Sequence, residues 1–424
     1  MSGTATPVNG AQVPETPLPT DIEKKRPASD NNTAESGRLG NGRVGFRDRI
    51  QHFTWAWYTT TMSTGGLALL LGKTPHRFNG LDVIGRIVYI FDLVLFVLFA
   101  IAMVTRFVTC PRAFKASLTD WHESVFFAPF WLSCATIIGN MKGYGLPHAG
   151  PWLVDCIRVL FWIYCACTTI TAIALHFSLI NISAPKGVYN AKSMNPTWLF
   201  PLFPIMLTGT ISSIVADTQT PAHRLPMIVA GITCQGVGWM YSFAITTIYL
   251  FRVMHAGMIP YSARPGMFMM VGAPSFTALA LIGNSKALPT DYGYFAEHPI
   301  AAEVLQIMAV WIAIFLWCLA FWFFSIAVVA NIQAARTGEM RFALGWWGFV
   351  FPNVGFTVAT ILIGQAFKSE GILWVGSIMT IFIVIAWLSV GFGHVRALYR
   401  GDICYPGKDE DRFQPHVMEK VAQE

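Results

Sequence analysis

The chain has 424 residues, of which 54% are hydrophobic and only 12% are charged. A soluble protein carries about 25% charged residues, so the composition excludes an ordinary soluble protein and predicts an all-α integral membrane protein. The net charge of +6 does not indicate a nucleic-acid partner, because the basic residues lie in tails and loops.

The two ends of the chain differ from its middle. Residues 1–45 are rich in Pro, Gly, Asn, Thr and charged residues and have no apolar period, which predicts a disordered cytosolic tail. Residues 46–400 are predicted to form a membrane domain of ten spans. Residues 401–424 are polar and are predicted to be a short cytosolic tail.

Ten apolar stretches of the middle region are long enough to cross a bilayer as helices. They lie at about 53–71, 86–107, 122–142, 151–179, 196–216, 225–253, 264–284, 299–331, 343–366 and 370–397.

The basic residues are distributed unequally between the two sides of the membrane. If the N-terminus is inside, only eight of the 29 Lys and Arg residues lie outside. These eight are Lys73, Arg77, Arg86, Lys142, Arg158, Arg224, Lys286 and Lys368. Because cytosolic loops carry the excess of Lys and Arg, both termini are predicted to be cytosolic.

Short outside links pair the spans as five helical hairpins, and the first member of every hairpin runs from inside to outside. Such hairpins are parallel repeats about an axis along the membrane normal. Four of the odd spans carry interior prolines, whereas the even spans are expected to have none beyond the first turn; Pro226 is one of those first-turn prolines. The pattern predicts five bent inner helices around a pore, with kinks at Pro129, Pro204, Pro274 and Pro352.

Acidic residues are scarce in the spans. Asp92, Asp155 and Glu303 fall in even spans, and no odd span has a carboxylate in its interior. A cation path needs carboxylates aimed at the pore, so an anionic or neutral substrate is favoured. The pore wall is then expected to present hydroxyl and amide groups such as those of Thr60, Ser63 and Asn353; helix packing is the alternative role for the hydroxyls.

Three further side chains are candidates for a direct role. Arg77 lies just past the outer end of span one and could bind a substrate carboxylate with its two-pronged guanidinium, or could be a solvated loop residue. Gln235 lies in mid-span, where its amide could bridge two helices or donate a hydrogen bond to the substrate. Phe351 precedes Pro352, and its ring could close a narrow pore or merely pack between helices.

No pattern in the sequence indicates an enzyme, a cofactor or a metal. Most of the eight cysteines fall inside spans, without CxxC or Cys/His ligand spacing, and are interpreted as packing residues. There is no Walker A, Ser-His-Asp or HExxH pattern.

Six motifs resemble those of the tellurite-resistance/dicarboxylate transporter family, which includes fungal malic acid transporters, plant guard-cell anion channels and sulfite efflux pumps. They are HFTWAWYTTTMSTGG (52–66), RFNGL (77–81), TQTPAH (218–223), RPGMFMMVG (264–272), GWWGFVFPNVGF (345–356) and CYPGKDED (404–411). The resemblance covers about 46–411.

The resemblance implies ten helices in five hairpins around a pore, and transport of C4-dicarboxylates such as malate and succinate. It implies a plasma-membrane protein that is a homo-oligomer, by family resemblance a trimer. It favours Phe351 as the gate, and Arg77 and Gln235 as substrate-binding residues of the dicarboxylate branch. Asp92 matches no motif, and whether protons accompany the substrate is left open.

Two other interpretations remain. Within the same family, the substrate could be sulfite or another small anion. Outside transport, the protein could be a membrane receptor, although ten spans and five parallel kinked helices favour transport.

Overall fold

The computed structural model describes residues 38–39, 43–45, 49–186, 194–338 and 340–405. The chain divides into two units between Gly45 and Phe46. In the first unit, strand β1 (Arg38–Leu39) pairs antiparallel with β2 (Arg43–Val44), an element that the composition of this tail did not predict. The rest of the predicted tail 1–45, and residues 406–424 of the predicted C-terminal tail, lie outside the described residues.

The second unit is built from helices. They are α1 (Tyr58–Lys73), α2 (Leu81–Thr109), α3 (Pro111–Thr119), α4 (Trp121–Ser124), α5 (Phe127–Asn140), α6 (Trp152–Ser178), α7 (Phe203–Val215), α8 (Pro221–Ala256), α9 (Met269–Lys286), α10 (Tyr294–Glu297), α11 (Pro299–Thr337), α12 (Phe351–Phe367) and α13 (Glu370–Arg400). Short 3₁₀ segments precede four of them, at Trp55–Trp57, Pro196–Leu202, Tyr261–Phe268 and Leu344–Phe349.

Nine helices in the described part of the chain are long and apolar enough to cross a membrane, which confirms a multi-pass membrane protein. They correspond to the predicted spans two to ten. Their bounds are Leu81–Thr109, Trp121–Gly145, Trp152–Ile182, Pro196–Thr218, Pro221–Ala256, Tyr261–Lys286, Pro299–Thr337, Leu344–Phe367 and Glu370–Arg400. Helix α1, at 16 residues, takes the place of the predicted first span but is only about 24 Å long.

Burial separates the helices into two sets. Thirteen residues of α1 and thirteen of α12 are buried, whereas α2 buries only six of its 29. Helices α5, α7 and α9 resemble α1 and α12, and α6, α8, α11 and α13 resemble α2. The exposed faces of the second set are rich in Ile, Val, Phe and Trp, as is typical of a surface in contact with lipid.

The buried helices contact one another in a closed order. Helix α1 packs against α5, α5 against α7, α7 against α9, α9 against α12, and α12 against α1 again. Each also packs against the helix that follows it in the same hairpin: α2, α6, α8, α11 and α13. We call α1, α5, α7, α9 and α12 the inner helices.

The four prolines of the predicted kinks are all buried and lie close to joints between helical segments. Pro204 and Pro352 occupy the first turn of α7 and α12, directly after 3₁₀ segments. A first-turn proline lacks a donor that the helix does not use there. These two prolines therefore follow 3₁₀ segments rather than interrupting an α-helix.

One expectation about the outer helices was wrong. Pro226 was expected in the first turn of its helix, but α8 begins at Pro221, so Pro226 lies inside it. The sequence stretch TPAHRLP offers two prolines that could start the helix, and the earlier one, preceded by the extended Thr220, does so.

Asparagine side chains bridge neighbouring inner helices at two equivalent places. Asn140 of α5 donates to the Gly65 carbonyl of α1 at 2.8 Å, and Asn284 of α9 donates to the Gly209 carbonyl of α7 at 2.9 Å. In each pair the two residues are 75 positions apart. Small residues at helix contacts allow such close approach, and an amide in a span needs a partner of this kind.

The contact between α7 and α8 leaves no space for a side chain at Gly238. A Cβ there would lie 2.4 Å from Met206 Cβ. We expect Gly238→Ala to destabilise the protein by about 1–3 kcal/mol, because the helices must separate to admit the methyl group. A thermal melt of the detergent-solubilised protein measures this, with Gly236→Ala as control, since no atom lies within 4 Å of a Cβ at that position. Equal melting points for the two variants would contradict the close contact.

Candidate functional site

Phe351 lies where the inner helices converge. It is the first residue of α12, after the 3₁₀ segment Leu344–Phe349, and is 2% exposed. Its ring stacks on that of Phe276 from α9, with centroids 5.0 Å apart and planes inclined by 27°. On another side it faces Gly66 of α1, where a Cβ would lie 3.1 Å from its Cδ2 atom. The absence of a side chain at Gly66 therefore gives the ring its space.

Two cavities lie on opposite sides of Phe351, and all five inner helices or the segments leading into them contribute to both. The C-terminal cavity, towards the C-terminal ends of the inner helices, is lined by Gly66, Leu69, Ala135, Thr136, Leu207, Thr210, Ile211, Ile214, Phe276, Phe351 and Val354. The N-terminal cavity is lined by Met62, Leu132, Leu199, Phe200, Phe203, Met269, Gly348, Phe351 and Pro352. Each cavity has room for about one water molecule. Among the described residues, only Phe351 lines both.

The cavity walls are mostly apolar. Thr136 and Thr210 supply the hydroxyl groups of the C-terminal cavity, and in the described part of the chain the Thr210 hydroxyl has no hydrogen-bond partner. Sequence analysis did not single out these threonines or Phe276. Phe276 follows the predicted kink at Pro274 by two residues, which was the available signal.

The face of α1 that lines the cavities is not the one that carries Thr60 and Ser63, which was expected there. Met62, Gly66 and Leu69 line them, at the spacing that places residues on one helix face. Thr60 and Ser63 lie on other faces. The Thr60 hydroxyl is 3.4 Å from His394 Nδ1 of α13, and the Ser63 hydroxyl donates to the Trp347 carbonyl at 3.3 Å. Both hydroxyls therefore join α1 to its neighbours in this structure.

The side chains of the two predicted amide residues, Asn353 and Gln235, also form hydrogen bonds within the protein. Asn353 donates to the Phe349 carbonyl at 2.9 Å, across the joint that precedes α12. Gln235 of α8 donates to the Thr277 hydroxyl of α9 at 2.9 Å. Each side chain is buried, and among the described residues the amide oxygen of each has no hydrogen-bond partner. Each amide thus keeps one free acceptor.

Arg77 lies at the C-terminal end of α1, as the sequence suggested. Its guanidinium donates to the carbonyls of Leu71 and Gly72, both at 3.1 Å, and forms an ion pair with Asp82. These carbonyls belong to the last turn of α1, where orphan acceptors and the negative end of the helix dipole favour a cation. About a third of the side chain is exposed.

The acidic residue Asp92, which matches no motif, is fully buried on α2. Its carboxylate lies beside α1 and α5: a Cβ at Gly65 would be 2.7 Å from Asp92 Oδ2 and 2.3 Å from Thr136 Oγ1. Neither carboxylate oxygen has a hydrogen-bond partner among the described residues. No group of three metal-ligating side chains is present in the described ranges.

These features define a multi-pass helical membrane protein in which five inner helices surround two apolar cavities separated by one aromatic side chain. Its sequence matches the family described as voltage-dependent anion channel over residues 52–395. The chain belongs to this family.

Similar proteins extend the comparison. The chain is 39% identical over 377 residues to the malic acid transport protein of Schizosaccharomyces pombe, covering 88% of this chain and 84% of that protein. It is 31% identical over 385 residues to a putative malic acid transport protein of the same yeast, covering 90% and 88%. It is 27% identical over 348 residues to the sulfite efflux pump of Arthroderma benhamiae, covering 80% and 89%. All three names describe transport.

Proposed function

We propose that this protein transports C4-dicarboxylates such as malate and succinate across the membrane, through a central pore between the inner helices. The observation that carries the proposal is the 39% identity to a malic acid transport protein over most of both chains. Two cavities in line, both bounded by the inner helices, support a route through their centre. The scarcity of carboxylates in these helices favours an anion.

In this proposal, helix α1 with Trp55–Trp57 before it is the first span in chain order, and it raises the number of spans from nine to ten. The ten spans form five hairpins that repeat around the pore. The bridges Asn140–Gly65 and Asn284–Gly209 support the repeat, because they join successive inner helices in the same way and at the same sequence separation. The distribution of Lys and Arg supports cytosolic termini, and the family resemblance supports a trimer in the plasma membrane.

Phe351 is the gate of the pore. It separates the two cavities and fills the space between Gly66 and Phe276. A ring at this position blocks the path sterically and keeps the constriction dry. A substrate dianion passes only when the ring moves aside.

The polar candidates act around this gate. The amide groups of Gln235 and Asn353 and the hydroxyls of Thr60 and Ser63 join helical segments to their neighbours, and in this proposal they are also the neutral groups that bind the substrate. Arg77 binds a substrate carboxylate at the mouth by exchanging it for the carboxylate of Asp82.

Flux of labelled malate into vesicles that contain the purified protein tests the function. Malate uptake above that of empty vesicles is expected, and competition by succinate should follow. Sulfite is the second candidate, because sulfite efflux pumps are among the relatives. Sulfite flux without malate flux would contradict the dicarboxylate proposal, and flux of neither anion would favour a receptor.

The role of Arg77 has its own test. We expect Arg77→Ala to raise the KM for malate about 10- to 100-fold, because a charge-assisted hydrogen bond contributes about 1.5–3 kcal/mol. Gln235→Ala should have a milder effect, since a neutral donor contributes about 1 kcal/mol. Arg86→Ala, which removes an exposed arginine of the adjacent α2, is the control for lost charge. An unchanged KM in well-expressed Arg77→Ala protein would show that Arg77 does not bind the substrate and serves only in its contacts to α1 and Asp82.

A further inference from the structure

Lysines end three of the inner helices on the same side of the protein. Lys73 and Lys286 are the last residues of α1 and α9, and Lys142 lies two residues after the end of α5. Lys142 and Lys286 occupy the same place in a repeated sequence, GNMK (139–142) and GNSK (283–286). The asparagine of each motif makes the bridge to the preceding inner helix, so the repeated structure brings the lysines to equivalent positions.

These side chains converge on one mouth. Helix α5 packs against both α1 and α7, and α7 packs against α9. The helix ends that carry Lys73, Lys142, Asp217 and Lys286 are therefore neighbours around this mouth. The three lysines and Arg224, whose guanidinium donates to the Asp217 carbonyl at 2.9 Å, outnumber the one aspartate. This excess of positive charge favours a dicarboxylate dianion.

Two of the three ammonium groups are available to a ligand. Lys142 Nζ donates to both Asp217 carboxylate oxygens and to the Ile214 carbonyl, each at 2.6 Å. Lys73 and Lys286 are exposed, and within the described ranges neither has a hydrogen bond or an ion pair. An ammonium group has three donors on a flexible stem, so it can reach a carboxylate from several directions.

The lysines stand over the entrance to the C-terminal cavity. Ile214, whose carbonyl Lys142 binds, lines that cavity, as does Leu69, one turn before Lys73. We propose that Lys73, Lys142 and Lys286 form an anion vestibule, which binds the two carboxylates of a dicarboxylate dianion before it reaches Phe351. The vestibule rests on the proposed transport function and assigns it a first binding site.

Helix dipoles offer a simpler explanation for these lysines. Cations are favoured at helix C-termini whatever the protein does. Lys368 decides between the two explanations: it follows the last residue of α12 on the same side, but α12 lines the C-terminal cavity only at Phe351 and Val354, about four turns before Lys368. If lysines only complement helix ends, Lys368 should matter as much as Lys73 and Lys286.

The vestibule has a characteristic dependence on ligand charge. The energy of an ion in an electrostatic potential is proportional to its charge. The factor by which a lost lysine weakens the binding of a dianion should therefore be about the square of the factor for a monoanion of the same size. Charged clefts raise the local ligand concentration about 10- to 1000-fold, and this effect is weakened by salt.

Uptake of labelled succinate and of monomethyl succinate into vesicles of defined protein orientation measures both factors. We expect Lys73→Gln and Lys286→Gln each to raise the KM for external succinate about tenfold and that for the monoester about threefold. The KM at the opposite face should not change. Lys73→Arg, which keeps the charge, should retain the wild-type KM, and Lys368→Gln should behave as wild type.

The outcomes separate this inference from the proposed function. One outcome would overturn the vestibule alone: the wild type takes up succinate, but Lys73→Gln and Lys286→Gln have the same KM as Lys368→Gln. Absence of succinate and malate uptake in every protein would overturn the proposed function. In that case, the chloride conductance of the same variants tests the vestibule. An unchanged conductance in both Lys73→Gln and Lys286→Gln would overturn the vestibule as well.

Discussion

Replacing Phe351 with alanine is expected to produce a leak of small anions such as chloride and nitrate. Phe351 alone lines both cavities, so its truncation joins them. We expect at least about a tenfold rise in chloride conductance, which corresponds to lowering the barrier by about 1.4 kcal/mol. Selectivity for a dianion the size of malate should fall, because the wider path no longer excludes other anions by size. Conductance across a planar bilayer, normalised to protein amount, is the measurement.

Phe356→Ala is the matched control for Phe351→Ala. Phe356 lies on the same helix and is equally buried, but its ring packs against Trp317 and Phe324 of α11, at centroid distances of 5.3 and 5.6 Å. Its truncation should cost about 3–5 kcal/mol of stability without any leak. If Phe351→Ala behaves in the same way, with reduced yield and no added conductance, Phe351 is a packing residue. Phe276→Ala combined with Phe351→Ala should leak more than Phe351→Ala, since Phe276 is the other ring of the stacked pair.

Removing the charge of Arg106 is expected to destabilise the protein strongly. Arg106, at the end of α2, forms a two-pronged ion pair with Glu123 of α4, and the two side chains are only 2% and 6% exposed. Arg106→Ala leaves the Glu123 carboxylate buried and unpaired, which costs about 3–5 kcal/mol. A thermal melt and the yield of folded protein in detergent measure the loss.

A double variant shows whether the cost arises from the unpaired charge. Arg106→Met together with Glu123→Leu removes both charges and keeps most of the apolar volume. Such replacements of a buried pair are often neutral, so the double variant should melt close to the wild type and well above Arg106→Ala. Arg112→Ala, which removes an exposed arginine of α3, should have no effect. A wild-type melting point for Arg106→Ala would contradict the importance of the pair.

Hydropathy was sufficient to locate the nine spans that the described part of the chain shows. The predictions of 343–366 and 370–397 lie within three residues of Leu344–Phe367 and Glu370–Arg400, because a run of apolar residues must be a helix in lipid. The family was also predictable, since ordered motifs identify relatives directly, and the match over residues 52–395 confirms it. Hydropathy did not reveal the 3₁₀ segments, which depend on how neighbouring helices meet.

The orientation of each inner helix could not be read from its sequence. Helix α1 is buried on nearly every face, so apolar periodicity does not mark the side that faces the cavities. The hydroxyls of Thr60 and Ser63 were expected there, whereas Met62 and Gly66 occupy that side. The buried partner of Arg106 was also missed, because Glu123 lies at the very start of the predicted span 122–142 and, for the odd spans, only carboxylates in the interior were considered.

The asparagine bridges have a consequence for the speed of transport. Asn140 and Asn284 join inner helices to their neighbours by hydrogen bonds inside an apolar region, so sliding of these helices breaks bonds that lipid cannot replace. Sliding of α1 against α5, or of α7 against α9, is then costly, whereas opening of the proposed gate needs movement of the Phe351 side chain rather than of a whole helix. Side-chain rotations take nanoseconds when unhindered, but collective helix motions take microseconds to milliseconds. We therefore expect turnover to be limited by an aromatic rotamer change, with single-protein flux nearer to that of a channel than of a carrier.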